Sequence, residues 1–184
     1  MKQEILQLTT GGSRYKRREL DFYPTPPEVT IALMEFLKLP KSEIWEPACG
    51  NGAMVNVLKE YGHQVTGTDI VTGNDFLKTS GKYDAIITNP PFNISEQFIE
   101  KALKEAPIVA MVLKSQYWHA KKRLKLFNDN KPAFILPLTW RPDFLNGERG
   151  GSPTMEVIWT VWIEGIKDCK YIPLQKPEVN PTLF

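Results

Sequence analysis

The chain has 184 residues, 42% of them hydrophobic, which is enough for one globular domain with a sizeable core. Its formal net charge of +2 is too small to indicate nucleic-acid binding by itself. The two cysteines have no paired spacing and the two histidines lie far apart, so we expect neither a disulfide framework nor a metal site. The N-terminus lacks the apolar run of a secretory signal, and no apolar run is long enough to span a membrane. We therefore expect a cytoplasmic protein.

The first 20 residues are polar and contain glycine, which predicts a flexible arm. Four basic residues cluster in this arm and could either contact phosphates or stay solvated: Arg14, Lys16, Arg17 and Arg18. The main domain is predicted over residues 21–172 and a Pro-rich tail over residues 173–184. A helix is predicted over residues 28–37, because an apolar face follows two prolines there.

A strand, a glycine-containing turn and a helix are predicted in succession after this first helix. The strand begins at Ile44, the turn occupies residues 46–52, and the helical pattern runs from Met54 to Tyr61. This order opens a nucleotide-binding α/β unit, in which glycines let the backbone approach a ligand closely.

The next predicted strand covers residues 64–69 and ends in Asp69, whose carboxylate could accept both hydroxyls of a ribose. Asp75 and Phe76 follow, and they offer a further acceptor and an aromatic ring for the edge and the face of an adenine. The alternative role of both aspartates is ordinary turn formation. Only five residues separate the two aspartates, so the third strand of such a sheet is predicted to be vestigial.

The residues Asn89-Pro90-Pro91-Phe92 follow an apolar run over residues 83–88 that predicts a buried parallel strand. Two prolines fix a rigid turn at the carboxyl end of this strand, where open α/β sheets bind ligands. The turn presents an amide side chain, a bare carbonyl and an aromatic ring. Two acceptors and a stacking surface suit a planar group with an NH2, so the pattern indicates chemistry on an exocyclic amine. A Pro-Pro pair can also be only a strand terminator.

Five further elements complete the predicted fold. They are a helix over residues 95–106 capped by Ser95, a strand over 108–113, a basic helix over 120–127, and strands over 133–138 and 155–163. The last two strands are predicted to form an antiparallel pair at one edge. The chain is therefore predicted to be an α/β protein with a mostly parallel sheet and an antiparallel edge strand.

Basic residues after the strand over 108–113 are candidates for substrate contacts. Lys114 opens a cluster that could contact phosphates or form a solvated helix face. The loop over residues 139–153 combines Arg141 and Arg149 with two large aromatic residues and three glycines. That composition favours a mobile substrate-facing element over a plain hairpin connection. We expect Lys114, Arg141 and Arg149 to contact the substrate.

Three motifs together resemble those of S-adenosylmethionine-dependent methyltransferases that act on adenine N6 in DNA. They are residues 21–29 before the sheet, residues 46–52 as the cofactor loop, and Asn89-Pro90-Pro91-Phe92 as the catalytic motif. The resemblance runs from about Asp21 to Trp118 and is to a small, phage- or prophage-like form without a separate target-recognition domain. It implies a Rossmann-like class I methyltransferase fold, S-adenosylmethionine as cofactor and nucleic acid, preferably DNA, as partner.

The resemblance also implies roles for individual residues. The segment before the sheet would line the pocket for the methionine half of the cofactor, the loop would lie near its amino group, and the later residues would bind ribose and adenine. The implied cofactor-binding residues are Tyr23, Thr25, Pro26, Glu46, Ala48, Gly50, Asp69, Asp75 and Phe76. The implied catalytic residues are Asn89, Pro90, Pro91 and Phe92.

The mechanism implied for this motif activates adenine N6, which is a weak nucleophile. The lone pair of adenine N6 is delocalised into the ring. Asn89 Oδ1 and the Pro90 carbonyl oxygen would accept the two N–H bonds, which localises the lone pair and stabilises the positive charge that develops on N6. Phe92 would stack on the flipped base, a contact worth about 1–3 kcal/mol. No covalent nucleophile is needed, and neither cysteine lies beside the motif.

Three alternatives remain open. An RNA adenine methyltransferase would use the same residues on splayed single-stranded bases. Protein-glutamine methyltransferases use a similar motif, but they usually have tyrosine in place of Phe92 and an added N-terminal domain. A non-catalytic scaffold subunit would not need the intact motif. Because little recognition surface follows Trp118, we expect a relaxed sequence preference, or a homodimer or recognition partner; neither metal nor membrane is expected as a partner.

Overall fold

A seven-stranded sheet organises the computed structural model, which describes residues 24–145 and 152–179. The helices are α1 (Pro27–Leu37), α2 (Ala53–Glu60), α3 (Ser95–Glu105) and α4 (Leu124–Asp129). The strands are β1 (Glu43–Glu46), β2 (Gln64–Gly67), β3 (Ala85–Thr88), β4 (Ile108–Lys114), β5 (Phe134–Pro137), β6 (Val157–Ile163) and β7 (Lys170–Tyr171). The predicted basic arm, residues 146–151 of the predicted loop and the end of the tail lie outside the described residues.

The strand order is β2-β1-β3-β4-β6-β5-β7, and the predicted α/β class with a mostly parallel sheet is confirmed. Every neighbouring pair is parallel except the two pairs that β6 makes, with β4 and with β5. The antiparallel strand therefore lies between two parallel ones, and β7 forms the edge beyond β5. At the other edge β2 is the last described strand, as the predicted loss of a third strand requires.

Two apolar clusters cover the two faces of the sheet. On one face α1 and α2 bury Leu33 and Leu58 against sheet residues such as Ile44. On the other face α3 and α4 cover a cluster that includes Ile99 and Leu126. The indole N–H of Trp159 in β6 donates to the backbone carbonyl of Val29 in α1 at 2.9 Å, which ties the centre of the sheet to the first helix. None of the helices in the described ranges is long and apolar enough to cross a lipid bilayer.

The register of β1, β3 and β4 brings the predicted site to one edge of the sheet. These strands are parallel neighbours, with Trp45 opposite Ile86 and Thr88 opposite Met111. The loops that follow β1 and β3 therefore leave the sheet side by side. The candidate cofactor loop and the Asn89 turn consequently meet at the carboxyl ends of these strands.

Two predicted helix boundaries are wrong. Ser95 does not cap α3; it is the first helical residue, and its hydroxyl donates to the carbonyl of Phe92 at 3.1 Å. The basic helix predicted from residue 120 begins at Leu124 instead, after two short 3-10 turns. The guanidinium of Arg123 lies 3.9 Å from the ring centre of Tyr117 and holds these turns together.

The start of the predicted tail continues the sheet edge. Leu174 is buried, its N–H donates to the carbonyl of Pro137 at 2.8 Å, and its carbonyl accepts from the N–H of Thr139 at 3.1 Å. Two residues earlier, Ile172 donates to the carbonyl of Ile135 at 3.0 Å. The described part of the tail therefore begins as extended chain that packs along β5.

Candidate active site

A cavity of about 540 Å³ opens at the carboxyl ends of β1, β2 and β3. It brings together predicted residues from all three motifs, although their positions in the sequence are far apart. The predicted site residues that line it are Thr25, Glu46, Ala48, Gly50, Asp69, Asp75, Phe76, Asn89 and Pro91. A cavity of this size suits a small-molecule ligand.

The loop between β1 and α2 is held close to the end of β2. Gly52 starts α2 with a φ of +84°, a conformation that a residue with a side chain rarely adopts. Gly67 at the end of β2 has no room for a side chain, since a Cβ there would lie 2.9 Å from Val55 Cγ2 and 3.2 Å from Cys49 Cβ. The N–H of Gly50 donates to Asp69 Oδ2 at 2.9 Å. These contacts fix the cavity wall that the glycine pattern predicted.

Asp69 has both the turn role and the cavity position that the sequence left open. Its Oδ1 accepts from the N–H of Val71 at 2.9 Å, and its Oδ2 accepts from Gly50. Each carboxylate oxygen has more than one acceptor site, so both can accept further hydrogen bonds from a ligand. A ligand with two neighbouring hydroxyl groups fits this carboxylate.

Glu46 is a buried carboxyl group at the end of β1. It is 2% exposed, and its Oε1 accepts from the hydroxyl of Thr88 at 2.5 Å and from the N–H of Ala48 at 3.3 Å. Burial raises the pKa of Glu46 from 4.5 to about 7. In the described ranges no lysine, arginine or histidine side chain pairs with it. A cationic ligand group in the cavity would supply the missing partner.

The turn after β3 holds two carbonyl oxygens without a protein donor in the described ranges. The Asn89 amide NH2 donates to the hydroxyl of Thr25 at 3.1 Å, and no described residue donates to Asn89 Oδ1. The Pro91 carbonyl accepts from Ile94, and the Phe92 carbonyl accepts from Ser95. The Pro90 carbonyl accepts from no described residue. Asn89 lines the cavity, whereas Pro90 is buried and is not among the lining residues. Both oxygens nevertheless keep an acceptor site that no described protein donor uses.

Thr25 is expected to orient the Asn89 amide, because its hydroxyl is the acceptor that fixes which end of the amide carries the oxygen. We predict that Thr25→Val, which keeps the shape and removes the acceptor, lowers the turnover number roughly threefold to tenfold. The Michaelis constant for the cofactor should change less than the turnover number. Steady-state methyl-transfer kinetics measure both quantities.

The matched control for this prediction is Thr25→Ser, which keeps the hydroxyl and should keep most of the turnover. Equal losses in the serine and valine variants would show that packing of Thr25, which is 6% exposed, matters and that amide orientation does not.

Phe92 and Lys114 form a pair beside the cavity. The Lys114 ammonium lies 4.9 Å from the centre of the Phe92 ring, at cation–π distance. Neither side chain is among the residues that line the cavity. An aromatic base that stacks on Phe92 must displace the ammonium or use the other ring face.

Asp75 and Phe76 both line the cavity. Asp75 Oδ1 accepts from the N–H of Leu77 at 3.0 Å, and Oδ2 lies 3.1 Å from the Lys78 ammonium. Phe76 is only 2% exposed, because its ring packs against Trp45 and Phe98. The ring therefore supports the floor and offers a ligand little open surface.

Several predicted site residues do not meet in this cavity. Pro26 is buried at the start of α1, where its carbonyl accepts from the N–H of Val29 at 3.0 Å. The Arg141 guanidinium is paired with Glu156 at 2.7 Å and lines a different cleft. Tyr23 and Arg149 lie outside the described residues.

Three residues of the site were missed from the sequence. Thr88, which binds Glu46, is the one polar residue of an otherwise apolar strand. Ile70 and Val71 line the cavity and are 66% and 71% exposed. The sequence signal for Ile70 and Val71 is that two apolar residues directly follow the acidic residue at the predicted strand end. Large exposed apolar side chains often mark a ligand surface. No three His, Cys, Asp or Glu side chains within the described ranges come together as a metal site.

The sequence matches no protein-family profile and no curated protein sequence. The fold, in contrast, is similar to solved structures. One is "a putative RNA methyltransferase" from Pyrococcus horikoshii, with a TM-score of 0.63 and 14% identity, over 85% of this chain and 93% of that chain. Another is the modification subunit of "a putative type I restriction enzyme" from Vibrio vulnificus, with a TM-score of 0.63 and 13% identity, over 86% of this chain and 48% of that chain.

A third similar structure is "a putative class I S-adenosylmethionine-dependent methyltransferase" from Listeria monocytogenes. It has a TM-score of 0.55 and 12% identity, over 86% of this chain and 68% of that chain. At these identities the likeness establishes the fold. The chain has the Rossmann-like fold of class I S-adenosylmethionine-dependent methyltransferases.

Proposed function

We propose that this protein transfers a methyl group from S-adenosylmethionine to the exocyclic N6 amine of adenine in DNA. The observation that carries the proposal is a pair of acceptors at the end of β3 to which no described residue donates. They are Asn89 Oδ1 and the Pro90 carbonyl oxygen. Asn89 lines a cavity of about 540 Å³ in a fold of the class I methyltransferase type, and Pro90 directly follows it in the turn.

The residues of the cavity fit the proposed cofactor. Glu46 is a buried carboxyl group with no basic partner in the described ranges, so it suits the α-ammonium of the methionine half. The Asp69 carboxylate suits the two ribose hydroxyls. Ile70 and Val71 offer exposed apolar surface for a planar base beside Asp69. The bound cofactor would supply an electrophilic methyl group.

The acceptors of the turn would act on the amine. Asn89 Oδ1 and the Pro90 carbonyl oxygen would each accept one N–H bond of the target NH2, and the two prolines keep both oxygens fixed. The nitrogen lone pair then turns away from the ring and towards the cavity. As positive charge develops on the nitrogen, both hydrogen bonds strengthen, which stabilises the transition state. Phe92 would hold the base by stacking once the base has displaced the Lys114 ammonium.

Nucleic acid is the substrate class that the surroundings of the turn favour. Between Glu105 and Asp129 the chain has five lysines and arginines and no acidic residue. This segment starts in β4, beside the Asn89 turn, so phosphates next to the target base would meet positive charge. The motif at residues 21–29 and the similar restriction-modification subunit favour DNA. The similar structure from Pyrococcus horikoshii makes RNA the second candidate.

The test is transfer of radiolabelled methyl groups from S-adenosylmethionine to matched pools of duplex DNA, single-stranded DNA, RNA and protein. We expect label in DNA. Label in RNA alone would replace DNA with the second candidate, and label in protein alone would contradict the nucleic-acid assignment. Cofactor binding without label in any pool would support the scaffold alternative and contradict the proposed activity.

A further inference from the structure

A second cleft, of about 830 Å³, lies beyond the Phe92–Lys114 pair at the same edge of the sheet. It begins at Ser115, which directly follows Lys114 and donates its N–H to the carbonyl of Glu156 at 3.0 Å. Ile135 and Ile158 in β5 and β6 form part of its lining. The cleft therefore begins one residue after the lysine whose ammonium lies over the Phe92 ring.

Aromatic side chains surround this cleft. Trp118 and Trp140 line it, and Tyr171 in the edge strand β7 lines it with 69% of its side chain exposed. The indole N–H of Trp118 donates to the hydroxyl of Thr160 at 3.2 Å, so that ring is fixed before any ligand arrives. The Trp118 ring also packs against three neighbouring aromatic rings, and both tryptophans are half-buried, so Tyr171 offers the most open ring surface to a planar group of a ligand.

Two lysines flank the cleft. Lys121 and Lys122 follow the lining residue His119 closely, both are exposed, and neither forms an ion pair with another described residue. The Arg141 guanidinium also lines the cleft and is paired with Glu156, but both side chains are more than half exposed. Such a pair is weak in water, so a phosphate can compete for the arginine.

An unpaired nucleic-acid strand combines planar groups, which can stack on an exposed ring, with negative charges, which can contact the basic side chains. In a duplex the faces of the bases are stacked on one another and cannot reach Tyr171 or the tryptophans. In an unpaired strand the bases can stack on the rings while the phosphates contact the basic side chains.

We propose that this cleft binds the unpaired nucleotides next to the target adenine, through stacking on Tyr171 and phosphate contacts to Lys121, Lys122 and Arg141. The proposal rests on the proposed function for the choice of substrate. It adds that the preferred substrate is single-stranded or locally opened at the target.

The test is equilibrium binding of a fluorescent twelve-residue oligothymidylate, measured by anisotropy without cofactor. This probe contains no adenine, so its binding does not depend on the catalytic turn or on methyl transfer. Tyr171→Ala should weaken binding roughly 5- to 150-fold, the loss expected for one stacked base. The control is Tyr61→Ala, which removes another exposed tyrosine, 41% exposed, at the end of α2, and should leave binding unchanged.

Two further probes complete the test. The first is oligouridylate, an RNA strand in place of the DNA strand. Whichever of oligothymidylate and oligouridylate binds more tightly identifies the preferred nucleic acid. A duplex of alternating dC and dG should bind more weakly than either strand and should be insensitive to Tyr171→Ala. The proposal is overturned if oligothymidylate does not bind, if Tyr171→Ala and Tyr61→Ala bind alike, or if the duplex binds as tightly as the strand. An enzyme that binds the strand but transfers no methyl group would contradict the proposed function alone.

Discussion

Asn89→Ala is expected to lower the rate of methyl transfer by a factor of about 10²–10³, the usual loss when one preorganised hydrogen-bonding group at a developing charge is removed. Asn89 Oδ1 is one of the two oxygens in the turn after β3 that no described residue donates to, and alanine has no replacement for it. The target amine would then keep its lone pair in the ring. Single-turnover methyl transfer at saturating cofactor measures this loss without a contribution from product release.

Cofactor affinity should be nearly unchanged in Asn89→Ala, because the groups proposed to bind the cofactor's charges and hydroxyls are Glu46 and Asp69. Calorimetric titration with S-adenosylhomocysteine measures this affinity. The matched control is Asn93→Ala, which removes an exposed amide from the same turn and should retain full activity. Wild-type activity in Asn89→Ala, or equal losses in the two variants, would contradict the assigned mechanism.

Cofactor affinity should also rise with pH as Glu46 ionises. Burial raises the pKa of Glu46 to about 7, so the free protein holds this group largely protonated at pH 6. An ammonium in the cavity favours the ionised form. We expect the affinity for S-adenosylhomocysteine to increase roughly eightfold between pH 6 and pH 7.5, following the ionised fraction of a group with this pKa. The range stops at pH 7.5 because α-amino groups begin to lose their own proton above it.

Glu46→Gln removes this titration and should bind the ligand more weakly, with an affinity nearly independent of pH in the same range. A pH dependence equal to that of the wild type would mean that another group titrates. A flat wild-type profile would contradict the contact between Glu46 and the ligand's ammonium.

The free protein should show the opposite dependence in its stability. The folded-state pKa of Glu46 lies above its ordinary value of 4.5, so its stabilising contribution is full below pH 4.5 and is lost as the pH rises through about 7. The wild type should therefore lose free energy of unfolding between pH 5 and pH 8, by roughly 3 kcal/mol at most, and Glu46→Gln should not lose this contribution. Urea unfolding of both proteins without ligand at the two pH values checks the sign.

Much of the site could be predicted because its signals are local in the sequence. A polar or proline-rich turn directly after an apolar strand marks the carboxyl end of that strand, so the sequence alone predicts Glu46, Asp69 and Asn89 at one edge of the sheet. Parallel strands then bring their ends together. The vestigial third strand followed from chain length alone, because too few residues separate Asp69 from Asp75.

The contacts that tune the site could not be predicted, because they join residues far apart in the sequence. Thr25 meets Asn89 across 64 positions, and Thr88 meets Glu46 across 42. No local pattern specifies either hydrogen bond, and the raised pKa of Glu46 depends on burial by the whole fold. The helix α4 begins later than predicted because of a contact between side chains. The packing of Arg123 on Tyr117 overrides the helical preference of the basic residues that follow residue 120.

The measurement that tests the central claim most directly is the identity of the methylated nucleoside. DNA treated with the wild-type protein or with Asn89→Ala, in the presence of S-adenosylmethionine, would be digested to nucleosides and separated by liquid chromatography with mass spectrometry. We predict N6-methyl-2′-deoxyadenosine in the wild-type sample and a loss of at least about 10²-fold in the variant sample. A methyl group on a ring nitrogen or carbon, or equal yields in both samples, would contradict the account of Asn89 and Pro90 as acceptors for an exocyclic amine.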